Sequence, residues 1–257
     1  MAHLRIDHVS KSIGVTTPLE MIIPDPVRMN DIPVRDRKVL YLLHGLSDDG
    51  SAWQRFTSIE TYASAYGLVV VMPSIGRSFY ANQQNGQAYF TYLVEEIPQY
   101  LADVFHLIPT RENTLIAGNS MGGYGAFKAA FLKPEKFCAA ASLSGVLSLA
   151  ILNNADNHDR KEFAFLFGDL QKLPGSKHDP AFWLQNAITN KFDLPKLYIS
   201  CGKQDDLYPL SVMFNQACRS ANLDVTYHEE DAKHDWFFWD RQILSFLNLV
   251  LGPIPTD

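Results

Sequence analysis

The chain has 257 residues, 47% of them hydrophobic and 19% charged, with a formal net charge of −6. This composition excludes an intrinsically disordered chain, supplies enough apolar surface for one sizeable core, and leaves no basic footprint for nucleic acid. Three cysteines, Cys138, Cys201 and Cys218, are an odd number without close pairing, so no disulfide framework is expected.

The N-terminal "MAHLRIDHVSKSIG" has neither an apolar h-region nor a small-residue cleavage pattern. No run approaches 18 uncharged apolar residues, so the expectation is a cytoplasmic protein without a membrane span. "LRIDHVSKS" and "LEMIIPD" predict opening strands, and "KVLYLLHG" predicts a third. "QRFTSIETYASAYG" has helical periodicity and stops at Gly67. "LVVVMPS" is a short continuous apolar run, as in a strand buried on both faces. "AYFTYLVEEIPQYLADVF" predicts a helix that Pro98 bends or interrupts.

"NTLIAGN" predicts the next strand, "MGGYGAFKAAFLKPEKF" a helix ending near Pro134, and "CAAASLSG" another strand. From about Val146 to Leu194 no clear alternation follows; an aromatic insertion of this kind reads as a cap or as a pair of ordinary packing helices. Phe163, Phe165, Phe167, Phe182 and Trp183 are its large side chains. "KLYISCG" and "DVTYHEE" predict strands flanking the helical "LSVMFNQACRSAN". The last helix places Trp239, Ile243, Leu247 and Val250 on one apolar face, read as core. Strands alternating with helices predict one α/β domain over residues 1–257: a mostly parallel sheet with helices on both faces, binding ligands beyond the carboxyl ends of its strands.

Three segments at predicted strand ends carry chemistry. Gly118-Asn119-Ser120-Met121-Gly122 fits G-x-S-x-G between a strand and a helix, the setting of a nucleophile elbow. A serine hydroxyl needs a base to take its proton. Of eight histidines, His234 in "DAKHDW" follows the last strand. His228 falls inside that strand, and His3, His8, His106, His158 and His178 have no supporting pattern. The base needs a carboxylate, and "CGKQDDLY" offers Asp205 or Asp206. The order serine, aspartate, histidine is the chain order of the α/β-hydrolase triad.

An oxyanion hole would draw on the N–H of Met121 and on that of Leu46 in the loop "YLLHGLSDDGSAW", with His44 and Gly45 shaping the turn. Asp48 and Asp49 read as solvated loop residues, and no metal site or cofactor is expected. Tyr80, Trp236 and Trp183 are candidates to line an acyl or alcohol pocket, with core packing as the competing reading for the two tryptophans.

Together "YLLHGLSDDGSAW", "SFYANQQNGQAYFTYLVEEIP", "GNSMGGYGAFKAA", "SLSG", "CGKQDDLY" and "KHDWFFWD" resemble the esterase D-like branch of the α/β-hydrolases. That branch contains S-formylglutathione hydrolases, small bacterial tributyrin esterases and related feruloyl esterases, and the chain is most similar to the tributyrin esterases. The resemblance implies an α/β-hydrolase fold with a small cap at about 146–194. It implies hydrolysis of short-chain acyl or aryl esters, among them tributyrin, p-nitrophenyl and cinnamoyl or feruloyl esters, through an acyl-serine on Ser120 with His234 as base. It selects Asp205, since the family pattern reads roughly C-G-x-x-D-x-L-Y. It also carries the expectation of a homo-oligomer, a dimer or tetramer.

The formylglutathione hydrolases usually have Ser-Gly-Leu followed by Thr and Cys where this chain has His44-Gly45-Leu46-Ser47-Asp48, and His where it has Asn119. A simple carboxylic ester is therefore expected ahead of a glutathione thioester. An acyltransferase on the same triad and a non-catalytic binding protein on the same fold are the competing readings.

Overall fold

The computed structural model describes residues 1–28, 32–153 and 156–254. Its strands are β1 (Ala2–Val9), β2 (Thr16–Ile23), β3 (Val39–Leu43), β4 (Val69–Pro73), β5 (Thr114–Asn119), β6 (Ala139–Leu143), β7 (Lys196–Gly202) and β8 (Val225–Glu230). They form one sheet in the order β1-β2-β4-β3-β5-β6-β7-β8. β2 runs antiparallel to β1 and β4, and every other pairing is parallel. All residues of β3, β4, β5 and β6 are buried, which is why these segments read as continuous apolar runs rather than alternating ones.

Helices cover both faces. α1 (Ala52–Phe56), α2 (Ile59–Tyr66) and the C-terminal helix over Trp236–Leu251 pack Trp53, Ile59, Ile243, Phe246 and Leu247 on one side. The other face takes α3 (Tyr89–Thr91), α4 (Ile97–Phe105), α5 (Met121–Leu132), α6 (Asn157–Phe167), α7 (Pro180–Asn190) and α8 (Tyr208–Ser220), with α9 naming the Trp236–Leu251 helix. There Leu101, Phe127, Phe131, Trp183 and Phe214 meet Tyr41, Leu43 and Ile116 of the sheet. The predicted helix around Pro98 runs unbroken from Tyr89 to Phe105, with a π-type turn at Tyr92–Glu96 immediately before Pro98, where the missing N–H interrupts the regular ladder.

The segment 146–194 contains α6, α7 and 3-10 turns at Leu149–Asn153 and Leu170–Lys172; Asn154 and Ala155 lie outside the described residues, as does the side chain of His158. Phe163 and Trp183 are buried in the core beside α5, whereas Phe165 is exposed. The register aligns Leu43 with Gly118 and Asn119 with Leu143, so the ends of β3, β5 and β6 form one edge of the sheet. The residues singled out for chemistry leave the sheet along that edge.

Candidate active site

Ser120 joins β5 to α5 with φ 53° and ψ −118°, a region that a side chain normally avoids. Its N–H donates to the Leu143 carbonyl (2.9 Å) and its carbonyl accepts from Tyr124 N–H (3.1 Å). The turn closes only because its neighbours are glycines. A Cβ on Gly118 would collide with the backbone of Gly122, and one on Gly122 with the Leu43 and His44 carbonyls. The hydroxyl thus stands at the N-terminus of a buried helix, whose unpaired N–H groups favour negative charge.

His234 follows β8, and its Nδ1–H donates to Asp205 Oδ2 at 2.8 Å. That bond leaves Nε2 as the proton-accepting nitrogen. Asp205 follows β7 and is buried, and its Oδ1 accepts from Leu207 N–H at 2.8 Å. Burial alone would raise its pKa, but the His234 hydrogen bond and charge, the Leu207 N–H and the Ser144 hydroxyl more than offset it and hold the carboxyl below its ordinary value. Asp206 is exposed, so the geometry separates the two candidates. Among the described residues Ser120 Oγ makes no hydrogen bond with His234; such bonds are often long before a substrate is present.

The loop after β3 is held from several directions. His44 Nδ1–H donates to the Gly45 carbonyl (2.7 Å), and Nε2 accepts from Ile75 N–H (3.1 Å). Burial lowers the pKa of this ring, so it is neutral and both nitrogens are committed to holding the turn. Tyr80 Oη donates to the His44 carbonyl (3.0 Å), and Trp53 Nε1 to that of Leu43 (3.0 Å). Leu46 and Met121, whose N–H groups make no hydrogen bond among the described residues, line a cavity of about 230 Å³ together with Ser120. Phe79, Val146, Ile151, Phe163 and Leu207 form its apolar wall. Arg77, Asp159 and Glu162 form the charged part, with Arg77 and Glu162 paired through two hydrogen bonds (2.5 and 2.7 Å). A larger cavity, about 520 Å³ between α7 and α8, contains none of these groups, so size alone does not locate the site.

The three aromatic residues expected in the pocket lie elsewhere. Tyr80 is fully buried with its hydroxyl spent on His44, and so supports the loop from behind. Trp183 is fully buried against Tyr124, its indole donating to the Lys177 carbonyl. Trp236 packs among Trp53, Phe56 and Trp239. Sequence reasoning missed Phe79, Arg77 and Glu162. "SFYAN" sits beside the site because Phe79 and Tyr80 both take positive φ (51° and 46°), a reversal that no residue type there announces.

Residues 10–248 match the family described as putative esterase. The acetyl esterase of Caldicellulosiruptor saccharolyticus is 30% identical over 256 residues, covering 95% of this chain and 96% of its own. Among solved structures, the substrate-bound fluorophosphonate-binding serine hydrolase F of Staphylococcus aureus superposes with a TM-score of 0.90 at 34% identity, covering 97% of this chain and 98% of its own. The S-formylglutathione hydrolase apoenzyme of the same organism gives 0.87 at 35% identity with the same coverage.

Proposed function

The chain belongs to this esterase family and is a carboxylic ester hydrolase with an α/β-hydrolase fold, and on that premise we propose that it cleaves short-chain acyl esters through an acyl intermediate on Ser120. The observation that carries this reading is the convergence of strained Ser120, unspent Leu46 and Met121 N–H groups and an apolar wall on one small cavity. A volume of about 230 Å³ is below the roughly 300–1,000 Å³ typical of pockets for drug-sized ligands. It suits an acetyl to butyryl group better than a feruloyl group.

In the proposed reaction Ser120 Oγ attacks the ester carbonyl carbon as His234 Nε2 takes the hydroxyl proton. Asp205 holds the ring by its Nδ1–H and stabilises the imidazolium. The N–H groups of Leu46 and Met121 receive the oxyanion, where one lost donor costs about 2.7–4 kcal/mol. The C–O bond to the alcohol then breaks, and the alcohol leaves with the proton from His234. Water, deprotonated by the same nitrogen, attacks the acyl-serine, and the serine regains its proton as the acid departs. Segment 146–194 supplies Val146, Ile151 and Phe163 to the cavity, and we assign it the role of a cap over the acyl group.

A panel of p-nitrophenyl esters from acetate to octanoate, with p-nitrophenyl ferulate and a glutathione thioester as further arms, tests the reading. Acetate to butyrate should give the highest kcat/KM, and Ser120→Ala should abolish turnover while leaving Tm unchanged. Preference for the thioester would move the assignment to that class. Product partition toward transfer when an alcohol is added would make the enzyme an acyltransferase.

A further inference from the structure

One residue at the sheet edge is strained, buried and absent from the reaction just described. Ser144 follows β6 with φ 49°, has no solvent exposure, and precedes a glycine rather than being one. Its N–H donates to the Ser200 carbonyl at 2.7 Å, which fixes the turn from the β7 side. Backbone strain of this kind persists only where the surroundings impose it, and it concentrates at functional sites.

The hydroxyl faces the back of the site. Trp239 Nε1–H donates to Ser144 Oγ at 3.2 Å, and the Cys201 thiol approaches the same oxygen at 3.9 Å. A hydroxyl that accepts an indole N–H keeps its one proton for another acceptor. The Asp205 carboxylate is the acceptor at hand, and the Ser144 hydroxyl is one of the groups that hold its carboxyl below the ordinary value. Trp239 in turn sets its ring edge-on to the His234 imidazole, with centroids 4.9 Å apart at 90°. One serine side chain therefore binds the indole that braces His234 and acts on the carboxylate that holds it.

We propose that Ser144 is a positioning residue for the Asp205–His234 pair: its O–H fixes the rotamer of the Asp205 carboxylate, and its oxygen anchors the Trp239 indole against the imidazole. This rests on the reading of Ser120, Asp205 and His234 as one catalytic set. Glycine would take φ 49° more readily than serine does, so what serine adds at this position is its hydroxyl.

Ser144→Gly separates this role from a structural one, because glycine suits φ 49° while removing the hydroxyl. On p-nitrophenyl butyrate, kcat should fall about 10- to 100-fold, the range expected for one hydrogen bond to a charged group, with KM within about twofold of wild type. Tm should stay within a few degrees of wild type, since relief of the positive-φ strain opposes the orphaning of the buried Trp239 N–H. In an Asp205→Asn background the same substitution should change kcat by less than about threefold, since the two groups act as a unit. Wild-type kcat in Ser144→Gly, a loss seen only with lowered Tm, or an undiminished loss in the Asp205→Asn background would each overturn the proposal.

Trp239→Phe keeps a ring against His234 and removes the N–H, and should lower kcat about threefold or more; an unchanged kcat there also counts against the anchor. Ser120→Ala is run beside them. Activity surviving in that variant defeats the catalytic set itself, whereas a dead Ser120→Ala with a wild-type Ser144→Gly defeats only the role of Ser144.

Discussion

Asp205 is a carboxylate taken out of water and kept ionised by what surrounds it. His234 and Leu207 N–H occupy its two oxygens, and burial of such a group is tolerated only with this degree of pairing. Asp205→Asn preserves the shape and removes the charge, and the amide would favour the wrong tautomer of His234. Its kcat should fall by about 10⁴, as for the equivalent change in a serine-protease triad, with substrate KM little altered; steady-state kinetics on p-nitrophenyl butyrate measures this. At this scale the sequence is informative where chemistry demands a residue type at a strand end. Ser120, Asp205 and His234 each follow a predicted strand, and the geometry joins the last two directly. It is uninformative where a large side chain could face either way. Tyr80, Trp183 and Trp236 have the composition of pocket residues, yet their polar atoms or ring faces are taken up by packing, and Phe79 beside Tyr80 fills the pocket role.

Among elements, α6 has the most influence on the reaction site. It supplies Phe163 and Glu162 to the cavity, and Glu162 grips Arg77 of the loop after β4 in a two-bond pair across it. Arg77 is half exposed, so the pair contributes little to global stability, about 0–1 kcal/mol. Its effect belongs to the shape of the cavity. Arg77→Ala should shift the acyl-chain profile toward longer chains, raising the octanoate-to-butyrate kcat/KM ratio by about fivefold or more with Tm nearly unchanged. An unaltered profile would show that α6 keeps its place without Arg77. Of the two helices in 146–194, α7 carried a readable signal, since its buried Pro180, Trp183, Leu184 and Ala187 fall at i, i+3, i+4 and i+7, a period masked by the irregular turns before it. The π-type segment before Pro98 is a form of the bend that this proline announces; Glu96, its last residue, accepts from the Lys11 and Ser12 N–H groups in the loop between β1 and β2.

Across the whole molecule, one buried amine links α5, the loop after β4 and segment 146–194. Lys128 is fully enclosed, donating to the Tyr80 carbonyl (3.2 Å) and meeting neutral His178 at Nδ1 (3.3 Å). Burial, then the charge of Lys177, lowers its pKa from 10.5 to about 7. Between those values the unfolded chain keeps this proton and the folded protein has lost it. The group's contribution to stability therefore rises with pH from about 7 to 10.5 and is flat below 7. Urea unfolding at pH 7, 8.5 and 10 should show the stability of wild type increasing relative to that of Lys128→Met as pH rises; parallel curves would place the pKa near its ordinary value. Alternation of strands and helices made the parallel sheet legible, and the apolar face of α9 was readable from spacing alone. Strand order was not, because β4 lies between β2 and β3, a crossover that hydrophobic pattern does not encode.

The central claim is that Ser120 is the nucleophile, and covalent capture tests it most directly. Protein treated with a fluorophosphonate, digested and examined by mass spectrometry should carry one phosphonyl group on the peptide containing Ser120, in step with loss of esterase activity, and Ser120→Ala should remain unlabelled. Labelling at another serine, or full inactivation of the enzyme with Ser120 unmodified, would contradict the account.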